Sequence, residues 1–89
     1  MNFQLFSIFD MKAGVFLSPF VSRSETDAER QISSSLRDPG IKDTPVGQNP
    51  EDFALYKIGK FDDELGRIES DLAPRLVKTL KELGSTVSS

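Results

Sequence analysis

The sequence predicts an α+β fold, with a mostly antiparallel sheet of about four strands from two hairpins and two helices on one face. Three observations predict it. Two runs rich in aromatic and β-branched residues each lead into a short turn framed by Asp and Gly. Each hairpin is followed by a stretch with apolar residues at helical spacing, and the order hairpin, helix, loop, hairpin, helix segregates the helices to one side of a sheet.

Asn2 to Phe9 (NFQLFSIF) carries apolar residues on both parities, with Phe3 and Leu5 on one face and Phe6 and Ile8 on the other. That pattern suits a strand covered on both sides, or covered on one and used for contact on the other. Val15 to Val21 (VFLSPFV) is the second strand. Pro19 cannot donate a ladder hydrogen bond, so the strand should end, bulge or lie at an edge there. Between them, Asp10 can accept backbone N–H bonds from two residues on, and Gly14 can take positive φ without penalty. Phe53 to Phe61 (FALYKIGKF) repeats the pattern, with Gly59 as the expected bulge, Asp62 and Gly66 framing the turn, and Arg67-Ile68-Glu69 starting the return strand.

The first helix is announced by two capping-box spacings, Ser22 with Glu25 and Ser24 with Asp27. Ala28, Ile32 and Leu36 form its thin apolar stripe, which ends before Asp38-Pro39-Gly40. Residues Arg37 to Asn49, with two prolines and two glycines, read as a long loop. The second helix is expected with Asp71 ahead of it, Pro74 in its first turn, Leu72, Leu76, Leu80 and Leu83 on one face, and Gly84 as its stop. A single domain over residues 1–84 and a flexible tail over 85–89 follow. The alternative is a sheet swapped or shared between two copies, because an apolar first strand with an open edge invites pairing.

At 89 residues the chain is one small domain whose single core gives only a few kcal/mol of stability, so self-association is expected to contribute. It has no Cys and no His, which removes disulfides, thiolate and imidazole metal sites, and the usual nucleophile and near-neutral base. Met1 to Phe20 carries Asp10 and Lys12, lacks a basic start and never forms a long apolar run. It reads as neither a signal peptide nor a membrane span, so no membrane partner is expected. The formal charge is −3 and the pI about 4.8. Binding nucleic acid would therefore require cations gathered on one face.

Two runs, LFSIFDMKAGVFLSPF and NPEDFALYKIGKFDDELG, carry a resemblance over residues 3–20 and 49–66. Together and in this order they resemble the small non-structural protein of gokushoviruses, the tailless single-stranded DNA phages of the Microviridae. The resemblance implies a phage protein made in the infected cell, in the host cytoplasm and absent from the virion, in a family often labelled DNA-binding or replication-associated. It brings no catalytic residues.

The residues best suited to single-stranded DNA are Tyr56, Lys57, Lys60, Phe61 and Arg67 on the second hairpin. Basic side chains can follow a strand's phosphates while bases stack on aromatic faces. Tyr56 and Lys60 share a parity, so one face offers both if Gly59 leaves the register unshifted. Arg75 and Lys78, with Lys81 three residues on, extend the candidate groove along the expected second helix. Asp62-Asp63-Glu64 could meet a hard cation, but it lacks the frame of a calcium loop and reads as an acidic turn tip. Ser33-Ser34-Ser35 lacks a nucleophile's frame, and phosphate-loop and dinucleotide fingerprints are absent. No enzyme, cofactor or metal is expected. Two roles follow: binding the phage's single-stranded DNA to coat it or regulate its replication, or a self-assembling module acting on a phage or host replication protein.

Overall fold

The first strand, β1 (Asn2–Asp10), turns at Met11–Gly14 into β2 (Val15–Phe16) and, past Pro19, β3 (Phe20–Ser22). The computed structural model describes residues 1–87, with side chains through Gly84, and the tail expected over 85–89 lies outside the described side chains. β2 and β3 are two pieces of one edge strand, both antiparallel to β1. The break falls at Leu17–Pro19, where proline's missing N–H was expected to interrupt the ladder. The buried Ser7 hydroxyl donates to the Leu17 carbonyl at 2.7 Å and stitches the break to β1.

The second hairpin pairs β4 (Phe53–Asp62) with β5 (Arg67–Thr79), and β4 lies antiparallel to β1, giving the order β2-β1-β4-β5 with β3 also on β1. β1 is therefore an interior strand, and the open first-strand edge expected from sequence does not exist. Both turns are built alike. Asp10 Oδ1 accepts from Lys12 N and Ala13 N, and Asp62 Oδ1 from Glu64 N and Leu65 N. Gly14 and Gly66 sit at φ 73° and 66°, where any other residue would be strained.

A bulge sets the register between β1 and β4. Leu5 pairs with Gly59 but Phe6 with Lys57, so Ile58 is the extra residue in β4. At the same place a Cβ on Gly59 would lie 2.3 Å from the Glu69 carbonyl oxygen of β5. Only glycine permits that backbone approach. The bulge expected at Gly59 is thus present, one residue before it.

Helix α1 (Glu25–Arg37) is capped by Ser24, whose hydroxyl accepts from Asp27 N at 3.1 Å. Ser22 is buried and accepts from Gln31 Nε2 instead. The expected loop contains three short helical turns, Pro39–Asp43, α2 (Pro45–Gln48) and Pro50–Asp52, each opened by a proline after Asp38, Thr44 or Asn49. Phe6, Phe53 and Leu55 of the sheet, Ala28 and Ile32 of α1, and Leu80 and Leu83 of α3 (Leu80–Val87) form the core. Val46 of α2 packs against it, so all three helices cover the same face of the sheet.

The second helix is where sequence and structure part. Residues 67–79 are strand, and the helix begins only at Leu80 and runs through Gly84. The spacing of Leu72, Leu76, Leu80 and Leu83 mimics a helical face, but β4 would otherwise keep an unpaired edge from Phe53 to Gly59, and ladder pairing overrides the pattern. Pro74 sits in an irregular stretch, since Lys57 pairs with Arg75 and Gly59 with Ser70, leaving residues 71–74 bulged outward. Leu72, at that bulge, is fully exposed. Leu80→Ala should therefore cost about 2–5 kcal/mol, Leu72→Ala at most about 0.5 kcal/mol and Gly59→Ala at least about 2 kcal/mol, read from urea unfolding midpoints. A large loss at Leu72 would contradict the strand.

Candidate nucleic-acid interface

Register assigns each candidate residue to a face, because directly paired residues point the same way. On the face away from the helices, Phe3 pairs with Phe61 and Phe61 with Ile68, Leu5 with Val21 and Gly59, Ser7 with Tyr56, Tyr56 with Leu76, and Phe9 with Phe16 and Ala54. Tyr56 is half-buried there, its ring 5.8 Å from Phe9 and 5.6 Å from Phe16, both edge-on. Phe61 is half-buried on the same face. Lys57 and Lys60 lie on the helix-side parity, with Phe6 and Gln4. The bulge at Ile58 has put Tyr56 and Lys60 on opposite faces.

The cations of this set have different partners. Lys57 Nζ donates to Asp71 Oδ2 at 2.7 Å, its side chain only 13% exposed. Arg75 donates to Glu25, and Lys78 donates to Glu29 at 2.8 Å. The last two tie β5 to α1: Glu25 and Glu29, one turn apart on the helix, meet cations on the strand. Lys81, expected to continue the series, belongs to α3. Lys60 and Arg67 do come together, lining a polar cavity of about 180 Å³ with Asn2, Asp62, Leu65 and Glu69. Its two acids balance its two bases.

Sequence reasoning missed a second set. Thr26, Arg30, Ser33 and Arg37 follow one another at i, i+4, i+7 and i+11 along α1, which places them on one side of the helix. With Glu29 and Leu83 they line an open groove of about 230 Å³. Glu29 is already engaged by Lys78. Among the described residues, neither Arg30 nor Arg37 has an ion-pair partner. The signal was present: Arg23, Arg30 and Arg37 recur at intervals of seven, two helical turns.

The arrangement offers charged and hydroxyl donors. Asp62 is occupied by its turn, and among the described residues no group of three or more acidic side chains converges to hold a metal ion. No helix among them is long and apolar enough to cross a membrane. Fold and surface thus define a small α+β protein with a half-covered antiparallel sheet. The chain belongs to the phage ORF5 protein family, whose model matches residues 3–83. No curated protein and no solved structure matches it.

The hydrogen bond to Glu29, and then that carboxylate's charge, raise the Lys78 ammonium pKa above its ordinary value of 10.5. A raised pKa means stability fully present below the unfolded value and lost as pH rises through the folded one. The wild-type urea midpoint should therefore fall more steeply above pH 10.5 than that of Glu29→Gln. Parallel curves would remove this ion pair from the pH dependence.

Proposed function

We propose that this phage protein is a non-structural protein of the gokushovirus type, of the Microviridae, and that it binds the phage's single-stranded DNA without catalysing a reaction. It would act in the host cytoplasm, coating the strand or regulating the change from duplex replication to single-strand synthesis. The observation that carries this reading is the pair of uncompensated arginines on α1. Lys57, Arg75 and Lys78 each meet an acid, whereas Arg30 and Arg37 line one groove with no ion-pair partner among the described residues.

β5 has taken two of the three acids of α1, Glu25 and Glu29. With Glu29 held by Lys78, the groove keeps two guanidinium groups, with the Thr26 and Ser33 hydroxyls on the same side of α1 as further donors. Guanidinium forks and hydroxyls are the donors that phosphodiester oxygens accept from. The motif runs at residues 3–20 and 49–66 support the choice of single-stranded phage DNA as the strand so bound. On this reading Lys60 and Arg67 are a secondary contact at the far end of the second hairpin.

A second reading has its own observation. The face of the sheet away from the helices is apolar and carries no cation, which suits a self-assembling module acting on a phage or host replication protein.

Anisotropy of a labelled oligothymidine separates the two. Direct binding should weaken steeply with salt, each phosphate contact adding about 0.7 to the slope of log K against log salt, so Arg30→Gln with Arg37→Gln should flatten it by about 1.4. No binding at low salt would sink the DNA reading. A slope flattened only by Lys60→Gln with Arg67→Gln would move the contact to the hairpin.

A further inference from the structure

The uncovered face of the sheet restricts what can cover it. Phe16, Val21, Ile68 and Leu76 lie on it at 42%, 43%, 64% and 50% exposure, on three different strands. No Asp, Glu, Lys or Arg occupies a paired position of this face, although 28% of the chain is charged. A phosphate backbone would need cations there, and a charged protein surface would need opposite charges. A neutral apolar partner surface fits, and the same face of another copy is one by identity.

The edges point the same way. The β2–β3 edge is broken at Leu17–Pro19, and β5 is interrupted by the outward bulge at residues 71–74 with Pro74. Broken, bulged and proline-bearing edges are those that resist strand-to-strand addition. Association through the sheet therefore has its faces left to use. With strands about 4.8 Å apart and residues about 3.4 Å apart, three strands of about nine residues and the short edge pieces β2 and β3 give a footprint of about 520 Å², before any side chain beyond the ladder is counted. Stable interfaces start at about 600 Å² per partner.

We propose that two copies of this chain pack open face against open face, closing a sheet-on-sheet dimer about 10 Å thick at the junction. The α1 arginines of both copies then face outward. The inference does not depend on the DNA reading.

Sedimentation equilibrium tests it. The wild-type protein should run at about twice the chain mass of 9.9 kDa, holding or tightening as salt screens the net charge. Val21→Lys with Ile68→Lys should be a folded monomer by circular dichroism. Leu76→Lys repeats the test from β5 alone, so a folding defect in one variant leaves the other to decide. Leu65→Lys, on a turn residue that lines the polar cavity off this face, should stay dimeric. Tyr56 is the only tyrosine in a chain without tryptophan, so its emission should change as the wild-type dimer is diluted. A wild-type monomer at high micromolar concentration overturns the proposal, as does a dimer that survives the face variants or is lost equally in Leu65→Lys. A monomer whose Tyr56 emission is quenched by oligothymidine also overturns it and assigns the face to nucleic acid.

Discussion

The extra residue at Ile58 in β4 decides which face Gly59 to Asp62 present, and with them the start of β5. Strand alternation has a period of two, so one inserted residue exchanges the faces of all that follows. Before the bulge, Leu55 and Phe53 face the helices and enter the core; after it, Lys60 takes that side and Phe61 the open one. Gly59 makes this possible, since the chain there runs so near the Glu69 carbonyl that no side chain fits. Without the bulge, Tyr56 and Lys60 would stand together.

The charge distribution rests on a second irregularity. Leu55 pairs with Lys78 but Tyr56 with Leu76, so Val77 is an extra residue in β5, and Arg75 and Lys78 both take the helix side and meet Glu25 and Glu29. Ion pairs this exposed add little stability. Their larger effect is to engage two of the three acids of α1, while Arg30 and Arg37 keep no ion-pair partner among the described residues. An acidic chain can in this way carry a basic stripe.

Much of the architecture was legible in local chemistry. Asp10 with Gly14 and Asp62 with Gly66 announced their turns, Ser24 its cap, and Pro19 its break, because each is a backbone requirement that few residues meet. The C-terminal third was not, because leucines three or four apart satisfy a helical pattern whether or not a neighbouring strand is waiting for a partner. Leu80 and Leu83 kept their core role, while Leu72 and Leu76 went to solvent. Arg30 and Arg37 were visible as spacing, but the groove they share with Leu83, and the engagement of Glu29 there by Lys78, depend on tertiary contacts of α1 with α3 and β5. Residues 37–49 read as a loop from their two prolines and two glycines, because helical turns this short leave no apolar periodicity to detect.

The interior position of β1 sets the order in which this protein can be made. Its N-terminal strand must wait for β4, with Asn2 paired to Asp62, so the central ladder joins residues sixty positions apart. Contacts of that separation fold slowly. During synthesis β1 cannot be enclosed until β4 has emerged, and until then an apolar strand with one unsatisfied edge is presented to the cell, a template for aggregation that only the later half of the sheet removes.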